Sequence, residues 1–254
     1  MRHVFTLLGR ELSAYFLGPM AYLVLMAFQL IAALNFWELV DILSSPQREF
    51  SSVRDPMSTY IPASPAFWIA IMVSIPMLTM RLFAEERRQG TIEALLTVPV
   101  TETEVVIAKW LAGVLMYLAL LVPFLMYLPF LYFQGNFNFD LGPVLTLAIG
   151  LSTMGMMFVA IGLFLSSLTR NQIIAAIWTF VVLLLLIVIF PLAYQFASHQ
   201  HYPWADGIRF VAVLYQIQSF GLGQLDFRYL AVHLSVCIFM LSLTVKVLET
   251  RGNR

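Results

Sequence analysis

Apolar residues gather along this chain in six long stretches separated by polar breaks, at roughly residues 19–38, 63–83, 106–132, 142–167, 172–195 and 228–247. Each is near the ~20 mainly apolar residues that an α-helix needs to cross a bilayer core. The fifth is the plainest, since Ile173 to Ala193 carries no charge. The third holds Pro123 and Pro129. A membrane helix tolerates prolines where neighbours satisfy the freed carbonyls, and both predict a kink. The pattern predicts an all-α integral membrane protein, with residues 1–254 forming a single transmembrane domain of six helices.

Residues 1–18 follow a different pattern. Val4, Phe5, Leu8, Leu12, Tyr15 and Phe16 recur at helical spacing, while Arg2, Arg10, Glu11 and Ser13 fall mostly elsewhere. That predicts an amphipathic helix lying in the membrane interface and ending near Gly18-Pro19. Two connections are longer than the rest. Residues 39–62 are polar, with Ser44-Ser45-Pro46 and Asp55-Pro56 as turn signals. Residues 196–227 hold aromatic and aliphatic side chains too dense for a free loop, which predicts one or two short helices packed at the outer membrane surface.

Composition strengthens the membrane reading. The chain is 61% hydrophobic and 11% charged, where a soluble domain has about 25% charged residues. Formal net charge is zero and no long basic cluster occurs, so no nucleic-acid partner is expected. Cys237 lies in an apolar run and reads as a space-filling thiol. The opening "MRHVFTLLGRELSAYF" is interrupted by Gly9, Arg10 and Glu11, unlike the apolar core of a cleavable signal. Lysine and arginine orient the six spans. With both termini inside, ten lie on the inner side (Arg2, Arg10, Arg81, Arg87, Arg88, Lys109, Arg170, Lys246, Arg251, Arg254) and four outside (Arg48, Arg54, Arg209, Arg228). A multi-pass protein with cytoplasmic termini is the expectation.

Charge concentrates in "FAEERRQGTIEALLTVPVTETEV", Phe83 to Val105, which this orientation puts in the cytoplasm. The second span should continue as helix through Glu85–Gln89. Gly90 is suited to the left-handed turn that ends a helix. Thr91 caps a short helix, Ile92 to Leu96, with Glu93 in its first turn, and Pro99 stops it. Thr101-Glu102-Thr103-Glu104 then fits a capping box ahead of the third span. The short helix offers Ile92, Leu95 and Leu96 for burial. The residues alone leave two readings open, a structured but unoccupied loop or a docking element.

The stretch "EERRQGTIEALLTVPVTETEVVIAKW" resembles the cytoplasmic connection of ABC-2-type permeases, the membrane subunits of ATP-binding-cassette transporters. "GRELSAYFLGPMAYLVL" is similar to that family's interfacial helix and first span, and "VLYQIQSFGLGQLDFRYLAVHLSV" resembles the branch that includes the gliding-motility-associated permease. The resemblance implies that the segment 84–105 holds a coupling helix seated in a groove of the nucleotide-binding subunit. Glu85, Glu86, Arg87, Gly90, Thr91, Ile92, Glu93, Leu95, Leu96 and Pro99 would form or shape that contact. It also implies a second permease copy or a similar permease, ATP and magnesium on the partner ATPase and no cofactor in this chain. The setting would be the bacterial inner membrane, with membrane lipid and periplasmic or accessory membrane proteins as further partners.

No Gly-x4-Gly-Lys-Ser/Thr loop occurs, so the chain is expected to be a transport subunit and not itself the ATPase. Glu85-Glu86 fails the Glu-Glu-x3-Arg pattern of CAAX-type membrane proteases, because Gly90 follows Gln89. His199 and His201 stand two residues apart without the further ligands that zinc needs. His233 lies within the sixth span, where polar groups are often functional, and its nearness to Arg228 equally fits an interfacial position or a hydrogen bond between helices. The small residues Ala148, Ser152, Gly162 and Ser166 suit close helix packing. Two functions follow: export of a lipid-like, polymeric or other amphipathic substrate, or a mechanotransmission scaffold that relays the ATPase cycle to periplasmic partners without transport.

Overall fold

The computed structural model describes residues 2–44, 64–89, 101–134 and 142–252, and every regular element among them is a helix. Helix α1 spans Arg2–Leu17 and gives way at Gly18 to α2, Pro19–Ser44. Next come α3, Pro65–Thr79, and α4, Arg81–Gln89, then α5, Glu102–Gln134, and α6, Gly142–Leu168. Helix α7, Gln172–Leu184, a π-helical segment Leu185–Ile189 and α8, Phe190–His199, follow as one span. Two short helices, α9, Ala205–Val211, and α10, Val213–Gly221, lead to α11, Phe227–Gly252.

Local chemistry places several of these boundaries. Ser64 accepts from the Phe67 amide, with Pro65 at the first helical position of α3. Asn171 Oδ1 accepts from the Ile173 amide and opens α7. The capping box at α5 is complete. The Glu104 amide donates to Thr101 Oγ1 and the Thr101 amide donates to Glu104 Oε2, both at 3.3 Å. His201 closes α8 in the left-handed region (φ 55°), and the Tyr202 amide then reaches Ala197 O at 3.1 Å. His201 therefore has a backbone task as a helix terminator.

Among the described residues, six helices are long and apolar enough to span a membrane. Three are inner, with 67, 61 and 61% of their apolar windows buried (α3–α4, α5 and α6), and three are peripheral at 28, 22 and 17% (α2, α7–α8 and α11). Helix α6 is the axis, packing against α3, α4, α5, α7, α10 and α11. Close approach there depends on glycine. A Cβ on Gly155 would strike the Tyr117 ring, and one on Gly162 would strike Thr79. Neither neighbour is free to yield, because Tyr117 donates to Leu151 O at 2.9 Å and Thr79 to Ile75 O at 2.9 Å. Gly155→Ala is therefore expected to cost about 1–3 kcal/mol by overpacking. The thermal transition of the purified protein in detergent should fall. Gly9→Ala, where nothing lies within 4 Å, should leave it in place.

Two features depart from the sequence reading, while α5 tolerates its prolines as expected. Helix α5 runs from Glu102 to Gln134 without interruption through both prolines. Gln29 Nε2 on α2 donates to Leu120 O at 2.8 Å, next to the Ala119 carbonyl that Pro123 leaves without its helical donor. The fifth span carries a π segment that its apolar run concealed. Its buried positions Ala175, Thr179, Leu183, Ile187 and Pro191 step by four. An α-helix drifts about 40° per such step. The wider turn, with the Phe190 amide on Leu185 O, takes up part of that drift and returns Ile187 and Pro191 to the bundle. Finally, α10 does not lie on the surface. Val213, Ile217 and Phe220 are buried against the bundle.

Candidate functional site

At the end of the bundle where α1 and α11 place the chain's termini, polar side chains from α1, α4 and the start of α5 converge. Lys109, seven residues into α5, is only 2% exposed at its side chain. Its Nζ lies 3.0 Å from Glu11 Oε1 and 2.9 Å from Glu86 Oε1. Arg10 Nη2 reaches the same two oxygens, at 2.9 Å on Glu11 and 3.2 Å on Glu86. Two carboxylates and two cations thus form a neutral junction tying three helices together. The Phe83 ring lies beneath the ammonium, 5.3 Å from its centroid. Lys109 has no solvent to fall back on, so the two carboxylates are its polar partners in place of water.

A second row fastens α1 to the bend between α3 and α4. Tyr15 Oη donates to Leu78 O at 2.6 Å. Arg81 lies over the Tyr15 ring at 5.4 Å, donates to Ala14 O at 3.3 Å and pairs with Glu85 at 3.5 Å. Burial raises the Tyr15 hydroxyl above the usual phenol range, so it stays protonated and remains a donor. Between the two rows is a cavity of about 360 Å³ with Arg10, Glu11, Arg81, Glu85, Glu86 and Lys109 on its walls.

The second span was expected to continue as helix past the membrane edge through Gln89. It reaches Gln89, but in two pieces joined by a turn at Met80. A new helix start leaves backbone N–H groups without intrahelical acceptors. Here α6 supplies the acceptor. Ser166 Oγ accepts from the Phe83 and Ala84 amides at 3.2 and 3.1 Å and donates to Met80 O at 3.0 Å. One serine hydroxyl uses its full capacity of one donated and two accepted bonds to hold the start of α4.

Of the residues singled out in the sequence, Glu85, Glu86 and Arg87 are described. Glu85 pairs within α4, Glu86 belongs to the junction and Arg87 is largely buried. Gly90, Thr91, Ile92, Glu93, Leu95, Leu96 and Pro99, with the short helix expected there, lie outside the described residues. The ends of that connection are described, however. Glu86 stands just before it and Lys109 soon after, and their ion pair braces one end to the other. Glu11 and Lys109 were not recognised as site residues. The available signal was a lysine inside the run "VVIAKWLAGVLM", which has no other charge.

The chain matches the family described as ABC-2 family transporter protein over residues 13–245. No curated protein matches it.

Proposed function

The chain belongs to the ABC-2 family of transporter proteins, and we propose that it is one permease half of a dimeric exporter driven by a separate ATPase. Membership makes it a multi-pass membrane subunit whose partner in general is an ATP-binding-cassette ATPase. Neither of its two lysines, Lys109 after Ala108 and Lys246 after Val245, follows a glycine as the phosphate-binding lysine of a P-loop does. ATP and magnesium are then bound by the partner.

The observation that carries the coupling reading is the Glu86–Lys109 pair. It clamps together the two helices that enter and leave residues 90–100, the stretch resembling a coupling helix. A push on that connection then moves α4 and α5 together, and α1 with them through Glu11 and Arg10. The basic bias supports a cytoplasmic position for this end with both termini inside, and the resemblance supports a bacterial inner membrane as the setting. A second copy, or a similar permease, completes the path for a lipid-like or other amphipathic substrate. The likeness to the gliding-motility branch rests on residues 213–236 alone. Transport is favoured over a scaffold role because α10 is folded into the bundle, as a gate would be, and is not presented for docking.

Glu86→Lys would break the internal junction as well as any docking, so Glu93→Lys is the cleaner test. It is expected to reduce co-purification with the ATPase while leaving membrane insertion intact. Undiminished co-purification would remove residues 90–100 as the docking element.

A further inference from the structure

A second polar assembly lies at the opposite end of the bundle. Helices α9 and α10, of 7 and 9 residues, are too short to cross a membrane. They join at Ala212 (φ −71°, ψ 104°), and the chain leaves α10 through Gly223 at φ 79°, a left-handed turn that favours glycine. Yet Val213, Gln216, Ile217 and Phe220 are each 1% exposed or less. Phe220 sits against Gly150 of α6, where a Cβ would collide with its ring, and its carbonyl accepts from Thr146 Oγ1 at 2.6 Å.

One chain of hydrogen bonds runs from α6 through α11 to this pair. Thr153 Oγ1 lies 3.0 Å from His233 Nδ1, and His233 Nε2 lies 2.8 Å from Gln216 Oε1. Gln216 Nε2 donates to Phe210 O on α9 at 2.7 Å. That last bond fixes the amide, so an acceptor faces His233. The imidazole therefore carries its proton on Nε2, which leaves Nδ1 as an acceptor for the Thr153 hydroxyl, whose single proton is shared with the Ile149 and Gly150 carbonyls at 3.0 and 3.1 Å. His233 is itself 1% exposed.

We infer that α9–α10 is a hinged plug at the outer end, that the Thr153–His233–Gln216 chain latches it shut, and that His233 is a positioning residue of the transport cycle. The inference rests on the permease reading for its place in a cycle. Away from water, polar groups must find partners within the protein. The pair therefore has two sharply different states, seated with the chain intact or released into water. Such bonds weaken steeply once distance and angle are lost, so a small shift of α6 or α11 against α10 opens the latch. Helix α6 also holds the start of α4 through Ser166. Thr153 lies 13 positions before Ser166 on that helix, about 20 Å along its axis. One rod therefore touches both the charged junction's bend and the outer latch.

The test uses Cys237→Ala protein with a reporter cysteine at Ile217, labelled from the outer side by a membrane-impermeant maleimide. A glutamine amide reaches the place of Nε2 and keeps the bond to Gln216. An asparagine amide reaches only the place of Nδ1 and keeps Thr153 alone. His233→Gln is expected to label as slowly as the parent and His233→Asn about tenfold faster, the order of one lost hydrogen bond. Gln216→Leu, which leaves His233 in place, should label as fast as His233→Asn. Equal labelling of the Asn and Gln variants, slow or fast, overturns the latch. These measurements need no ATPase, so failure of the docking prediction leaves them standing. In the complex with its ATPase, ATP should speed labelling of the parent. An ATP-insensitive rate overturns the role in the cycle, even with the latch itself upheld.

Discussion

Lys109→Ala is expected to release α1 from the bundle and to cost about 3–5 kcal/mol, the usual effect of removing one member of a buried ion cluster. Glu11 and Glu86, only 12 and 20% exposed at their side chains, would lose the ammonium that both contact. Arg10 reaches the same oxygens but is half exposed and is partly screened by water. The loss should appear as a lower thermal transition and as faster tryptic cleavage at Arg10. Lys109→Arg keeps the charge and should lose less. The triple variant Lys109→Met, Glu11→Gln, Glu86→Gln removes the buried charges together, and apolar or neutral replacements of such clusters are often tolerated. It should recover much of the stability while leaving ATP turnover poorly coupled, which would separate the junction's mechanical role from its contribution to folding. A transition in Lys109→Ala equal to that of the parent would show that the cluster holds nothing.

The second large effect is expected at Ser166. Ser166→Ala leaves the Phe83 and Ala84 amides without their acceptor and Met80 O without its donor. Each buried group left unpaired costs about 1–3 kcal/mol, and the membrane supplies no water as a substitute. Hydrogen exchange at Phe83 and Ala84 should accelerate ahead of the rest of α4, and the thermal transition should fall. If exchange at those two amides is unchanged, another group caps α4 and the bend at Met80 does not depend on α6.

Local chemistry was the legible part of this molecule. Apolar runs of spanning length gave all six membrane helices, Gly18-Pro19 marked the end of α1, and Thr101 with Glu104 announced the start of α5. Each of those signals is complete within a few residues. The junction was not legible in the same way. Glu11 and Lys109 are 98 positions apart, and Arg10 and Glu86 are 76 apart. Nothing near Lys109 in sequence says that two carboxylates come to meet it. The turn at Met80 was hidden for a related reason, since its partner Ser166 arrives from α6. Residues 196–227 were expected to form short helices at the outer membrane surface, because their aromatic and aliphatic side chains are too dense for a free loop, but how deeply residues 213–221 are buried was not legible. That burial depends on His233, which the sequence showed as a lone histidine in a span. The caps expected at Gly90, Thr91 and Pro99 fall outside the described residues, so that part of the coupling segment stands on its resemblance.

The central claim is that α1, α4 and the start of α5 form one charge-locked body through which the ATPase moves the spans. Spin labels at the exposed positions Ser13 on α1, Arg88 on α4 and Thr250 on α11, in Cys237→Ala protein assembled with its ATPase, test it through pairwise distances with and without ATP. An unchanged Ser13–Arg88 distance and a shifted Arg88–Thr250 distance are expected. A Ser13–Arg88 distance that changes with ATP would contradict the claim.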